Sequence, residues 1–296
     1  MSEFVKYMHL ERFGTAEVDG IEFGETYVFP KLDGTNAQVW LNSDGTIGCG
    51  SRNRVLEISA DNAGFMNWAV EQESLKSYLS ENPSHTLYGE WLVPHSLKTY
   101  RDDAWRNFYV FDVMADGSLV HYNDYKDGLD KYGVEYLAPI SVVKNGNEEK
   151  YQRCLDKNTH LIKDGEGVGE GVVIKNYEFK NKYGRVVWAK IVTNSFKEKH
   201  IKEMGAHIMH QQTVEEKICD EFVTKHLVDK VQAKIALGQE GWSSRYIGQL
   251  IGVVWHDLIT EEIWEILKSH KNPKIDFKTL QRTCTAKIKE LRPDLF

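Results

Sequence analysis

Apolar and polar positions along this chain follow two different rhythms. Between Glu25 and about Val192 the apolar residues come in short runs, rich in β-branched and aromatic side chains and bounded by Gly, Asp and Asn. The runs are Tyr27-Val28-Phe29, Ala37-Gln38-Val39-Trp40, Thr46-Ile47-Gly48-Cys49, Thr86-Leu87-Tyr88, Phe108-Tyr109-Val110-Phe111, Leu119-Val120, Gly171 to Lys175 and Arg185 to Val192, and each predicts a strand. Two stretches in this half have helical spacing instead. Asp61 to Leu79 puts Phe65, Trp68, Ala69, Leu75 and Leu79 near one face, and a second runs from about Glu148 to Leu161. The first 24 residues show little periodicity.

Past about Ser195 the rhythm becomes helical throughout. Val214, Ile218, Phe222, Leu227, Val231 and Ile235 recur at helical spacings over 212–236, and Trp242–Trp255, Glu261–His270 and Asp276–Leu291 supply three more periodic segments. The pattern predicts an α+β domain with an antiparallel sheet over residues 1–205, followed by a small all-helical domain over 206–296.

Composition narrows the class only a little. The chain has 296 residues, 41% hydrophobic and 27% charged, as expected of an ordinary soluble protein. Neither a signal-peptide core nor an uncharged apolar run of about 18 residues is present, so membrane insertion is not expected. Cys49, Cys154, Cys219 and Cys284 are scattered without Cys-x-x-Cys pairing, which fits reduced thiols in the cytoplasm, or the host cytoplasm if the chain is viral. A net charge of -7 means that any nucleic-acid site must be a local basic surface on an acidic body. No obligate protein partner is evident, and a monomer is expected.

The chemistry centres on Lys31. It follows the run Thr26 to Phe29 and precedes Asp33-Gly34, with Thr35 to Leu41 reading as a returning strand. This predicts a hairpin in which Gly34 takes a positive φ and Lys31 is held at a strand end. Alone, such a lysine is ordinarily a surface residue beside a turn. Five further stretches change its meaning: Gly50-Ser51-Arg52-Asn53-Arg54, Leu87-Tyr88-Gly89-Glu90-Trp91, Phe108-Tyr109-Val110-Phe111-Asp112, Glu170 to Lys175, and Trp188-Ala189-Lys190-Ile191-Val192.

In order and spacing these six stretches resemble the motifs of the covalent nucleotidyltransferases, the superfamily of polynucleotide ligases and mRNA capping enzymes. Lys31-x-Asp33-Gly34-Thr35-Asn36, Gly89-Glu90-Trp91 and Phe108 to Asp112 are most similar to the RNA ligase 2 family, which seals nicks in duplex RNA. The resemblance spans about residues 25 to 200 and implies an ATP-grasp-like ligase domain. The helical tail fits it as well, since DNA ligases and capping enzymes continue into a β-rich OB-fold.

The resemblance implies a role for each residue. Lys31 is the nucleophile that takes AMP from ATP, within a nucleotide site comprising Asp33, Gly34, Glu90, Phe111, Lys175 and Lys190. Phe111 suits a stacking face for adenine and Glu90 an acceptor for ribose hydroxyls. Lys175 and Lys190, on strands where both can point at the phosphate, would neutralise developing charge and favour a neutral Lys31 by repulsion. Glu170, with Asp112 as a second candidate, would hold Mg²⁺ or Mn²⁺. Arg52 and Asn36 are candidates for the 5′-phosphate of an RNA end.

One position departs from the family pattern. Val192 stands where a second lysine is typical, and Lys197 or Lys199 could substitute from the next turn. Residues 175–202 hold eight basic side chains against Glu178 and Glu198. Lys182, Arg185, Lys197 and Lys199 in this segment are therefore candidates for RNA backbone contacts. The rival readings are an ATP-dependent DNA ligase, which lacks support from an OB-fold pattern, and a non-catalytic nucleic-acid-binding module, which would have no reason to keep Lys31, Glu90 and Glu170.

Overall fold

The computed structural model describes residues 4–94, 99–192, 213–239 and 241–296. They divide into two compact units, one comprising the described residues up to 192 and the other those from 213 onward. The expected boundary at 205/206 lies outside the described residues.

Two five-stranded sheets build the first unit. Strands β1 (Glu11–Arg12), β2 (Glu25–Lys31), β8 (Ser141–Lys144), β9 (Gly171–Lys175) and β10 (Ala189–Val192) form one sheet in the order β1-β10-β9-β2-β8. Strands β3 (Thr35–Leu41), β4 (Ile47–Ser51), β5 (His85–Trp91), β6 (Phe108–Ala115) and β7 (Ser118–Leu119) form the other in the order β4-β3-β5-β6-β7. Every pairing is antiparallel except the short parallel contact of β1 with β10.

The predicted hairpin at Lys31 does not form. β2 pairs with β8 and β9, and β3 pairs with β4 and β5, so the residues between β2 and β3 cross from one sheet to the other. Gly34 is also outside the left-handed region, and its need for glycine is spatial. A Cβ there would lie 2.6 Å from the Trp91 carbonyl and 2.8 Å from Glu90 Cγ.

Helices follow the predicted apolar faces with different breaks. The stretch Asp61–Leu79 splits into α1 (Phe65–Ala69) and α2 (Glu73–Glu81), because Gln72 is extended between them and Asp61 accepts from the Met66 and Asn67 N–H groups at the start of α1. α3 (Tyr122–Tyr132) was not predicted, since only Tyr122, Tyr125 and Leu129 in a mostly polar segment turn inward. α4 (Glu148–Asp156) lies over the sheet face made by Val28, Val172, Ile174 and Ala189, burying Tyr151 and Leu155 there. The opposite face carries Tyr27, Phe29 and Lys31.

In the second unit the described helices are α5 (Val214–Phe222), α6 (Lys225–Gly238), α7 (Ile247–Thr260), α8 (Ile263–Ser269) and α9 (Phe277–Leu291). The expected helix over 212–236 breaks at Val223, where Thr224 caps α6, while Thr213 and Glu216 form a reciprocal capping box on α5. Ile218, Phe222, Val231, Leu250, Val254, Leu258, Leu280 and Ile288 make the core. No helix among the described residues is long and apolar enough to cross a membrane. All four cysteines are free and buried.

Candidate active site

Lys31 ends β2 and pairs in register with Gly171, the first residue of β9. That register brings Glu170, immediately before β9, to the lysine from 139 residues away, with Glu170 Oε2 2.6 Å from Lys31 Nζ. Both side chains are mostly buried, with 21% and 13% of their surface exposed. In such a setting an ion pair is little screened, and the carboxylate both orients the amine and can take its proton.

The residues after Lys31 are held from two sides. Glu90 Oε1 accepts the Gly34 N–H at 2.9 Å, and Tyr100 Oη accepts the Asp33 N–H at 2.7 Å. A larger residue at Gly34 would push Glu90 away. Burial, with the nearby charges of Glu170 and Glu90, drives the Tyr100 phenol well above its ordinary pKa, so it stays a neutral hydroxyl. Nothing in the sequence marks Tyr100, a lone tyrosine far from any motif.

Phe111 sits at a β-bulge. Tyr88 pairs with Asp112 and Gly89 with Val110, which leaves Phe111 as the extra residue of β6. A bulge bends the strand and re-aims side chains. The half-buried Phe111 ring packs 5.0 Å, centroid to centroid, from Tyr7, an aromatic that sequence patterning did not single out.

Two expectations are overturned directly behind that ring. Asp112 is fully buried and bonded to Lys175 Nζ, Tyr7 Oη and Trp188 Nε1, so its carboxylate is occupied and is no metal ligand. Lys175 is on the same sheet face as Lys31 but does not present its amine to a phosphate, being 1% exposed and donating to the Phe111 carbonyl and to Asp112. Its ammonium also lies 4.4 Å from the centre of the Phe29 ring. Burial lowers the Lys175 pKa despite the opposing pull of Asp112.

Lys190 pairs with Val173, which pairs with Phe29, so Lys190 shares the face that carries Lys31. Val192, the departure from the family pattern, pairs with Gly171 and so stands in the same row as Lys31. Asn36 pairs with Glu90 across β3 and β5, and its Oδ1 is buried without a hydrogen-bond partner among the described residues. Such an orphaned acceptor fits a ligand donor at this edge of the site. Arg52, at the end of β4, lies 2.9 Å through Nη2 from His9 Nδ1. Lys182 and Arg185 are exposed, Lys182 lying 3.7 Å from Glu17, and the structure does not bring them to Lys31. Lys197 and Lys199 lie outside the described residues.

No group of three or more potential metal-ligating side chains occurs among the described residues. With Asp112 removed, Glu170 is the remaining expected ligand. A single carboxylate fits a hard cation that takes most of its ligands from substrate phosphates and water.

A family model described as RNA ligase matches residues 24–192. No curated protein matches the chain. Among solved structures, Naegleria gruberi RNA ligase with PPi is similar at 20% identity and a TM-score of 0.53, covering 68% of this chain and 60% of that one. An alanine variant of that ligase with ATP and Mn matches at 19% and 0.53, and an apo alanine variant at 19% and 0.52, each over 68% of this chain and 59% of the other. The chain thus spans about 60% of the length of the structures it matches. At this identity the likeness speaks for the fold, antiparallel sheets with mixed helices.

Proposed function

Because this chain belongs to the RNA ligase family, we propose that it is an ATP-dependent ligase joining the 3′-hydroxyl and 5′-phosphate ends of RNA, with nicks in duplex RNA as its substrate. The observation that carries the reading is the partly buried Lys31–Glu170 pair, held at two adjoining strand ends beside Glu90. The carboxylate holds the lysine in place and can accept its proton as the amine attacks.

The reaction has three steps. Lys31 Nζ attacks the α-phosphorus of ATP, a P–N bond forms, the bond to pyrophosphate breaks, and the amine's proton passes to Glu170 or to solvent. AMP then moves from Lys31 to the 5′-phosphate, and the 3′-hydroxyl attacks that phosphate and releases AMP. Phe111 offers the adenine a ring face, Glu90 accepts from the ribose, and Lys190 meets the phosphates. Lys175 contributes from below, by fixing the bulge that carries Phe111. A divalent cation, Mg²⁺ or Mn²⁺, would be held by Glu170 and would neutralise charge on the phosphate oxygens. The neighbouring ligase structure with ATP and Mn supports this chemistry. Arg52 and Asn36 engage the 5′-phosphate end. Lys182 and Arg185, and Lys197 and Lys199 outside the described residues, contact the RNA backbone, and the helical unit adds further contacts.

With α-labelled ATP and a divalent cation, the wild-type chain, cleared of AMP by pyrophosphate, should acquire covalent label, and Lys31→Ala should acquire none. Absence of label on wild type would end the ligase reading. The DNA-ligase alternative is separated by nicks differing only in the sugars on the 3′-hydroxyl side, where equal sealing of all-deoxy strands would remove the RNA assignment.

A further inference from the structure

Glu170 is gripped on both sides by a residue that no motif contains. Asn158, two residues beyond the end of α4, is 1% exposed. Its Nδ2 donates to the Gly171 carbonyl at 2.7 Å, and its own carbonyl accepts the Gly169 N–H, also at 2.7 Å. These two bonds bracket Glu170 from one residue away on each side, fixing the 168–169 peptide through the Gly169 N–H and the 171–172 peptide through the Gly171 carbonyl. The bracket is close-fitting, since a Cβ on Gly169 would lie 2.7 Å from Asn158 Nδ2. Gly171 is confined from the other side, where a Cβ would lie 2.4 Å from the Ile191 carbonyl. The backbone that bears Glu170 is therefore closely confined on both sides.

Asn158 is also an unfavourable choice for stability alone. Its Oδ1 is buried without a hydrogen-bond partner among the described residues, and an unmet buried acceptor is destabilising. Reversing the amide would set oxygen against the Gly171 carbonyl, so the orientation follows from the contacts. A local cost kept beside a reactive pair is what a functional constraint produces.

We infer that Asn158 is a positioning residue for the lysine-adenylylation step, holding Glu170 against Lys31 through Gly169 and Gly171. This rests on the proposed ligase function. Asn158 and Gly169 act on Lys31 only through the placement of Glu170.

The test is the rate of Lys31 labelling by α-labelled ATP in the full chain, with folding followed by thermal melting. Asn158→Ala should lower the maximal labelling rate at least tenfold and change the ATP concentration for half-maximal rate by less than threefold. Gly169→Ala should do the same, and the double variant should be no slower than Asn158→Ala, because the two disturb one bracket. Asn158→Asp gives a readout that a merely structural role would not move. Its buried carboxyl can replace the lost donor only when protonated, so its rate relative to wild type should rise as the pH is lowered. Folded Asn158→Ala labelling within twofold of wild type, or Asn158→Asp with the wild-type pH profile, overturns the inference. If Asn158→Ala fails to fold, Gly169→Ala and the Asn158→Asp profile decide. A wild-type chain that takes no label defeats the ligase reading instead, so the two failures are distinguishable.

Discussion

Asp112 and Lys175 show how far a residue's surroundings can redirect it. Both belong to stretches that carry the family resemblance, and both are sealed beneath Phe111, bonded to one another with Tyr7 and Trp188 closing the network. Removing one member of a buried pair strands the other charge, at a cost of roughly 3–5 kcal/mol. His160 offers a titratable case outside the site. Its Nε2 is buried without a hydrogen-bond partner among the described residues, and burial, reinforced by the charge of Arg101, lowers its pKa below the ordinary 6.5. The folded chain then binds this proton more weakly than the unfolded chain, so stability is full above pH 6.5 and falls as the pH drops through the window between 6.5 and the lowered value. His85, lowered by burial, acts in the same direction. Each tenfold weakening of proton binding is worth about 1.4 kcal/mol. Urea midpoints at pH 7 and pH 5 should therefore lie further apart for wild type than for His160→Gln; equal differences would refute the assignment.

At the scale of elements, strand register does the most. The β2–β9 pairing joins Lys31 to Glu170, and the bulge in β6 turns out Phe111. α9 poses a separate question. Lys278, Arg282 and Lys289 are exposed at spacings of four and seven residues and so share one helix face, while Phe277 to Lys289 contains no Asp or Glu. Lys278 lies in the first turn, where the helix dipole disfavours a cation by about 0.3–1 kcal/mol. A row of exposed cations with no acidic residue along that stretch, one of them set against the dipole, fits a phosphate-lined partner. Replacing all three by Gln should leave Lys31 labelling unchanged while weakening nicked-RNA binding and flattening its dependence on log salt, by about 0.7–0.9 per lost phosphate contact. An unchanged slope would remove α9 from the RNA surface.

For the whole molecule, the relevant division is between an α+β unit that holds every described member of the site and a helical unit with its own core. A fragment ending at residue 205 should label on Lys31 yet seal nicked RNA poorly, as measured by ligated product per labelled chain; full sealing would show the helices dispensable. The sequence by itself marked most of the strands and helical faces and Lys31 as the candidate nucleophile, because strand runs, helical spacing and the six motifs are all written in contiguous residues. It also marked Glu90, Phe111 and Glu170. Only the tertiary structure decided that Lys31 lies on a crossover and not a hairpin, since strand partners are chosen by packing between residues far apart. Only it withdrew Asp112 from the metal and Lys175 from the phosphates, because burial and a bond spanning 63 residues set what those charges face. Tyr100 and Asn158 emerged there for the same reason: each acts on a backbone group supplied by another part of the chain, and no local pattern records such a contact.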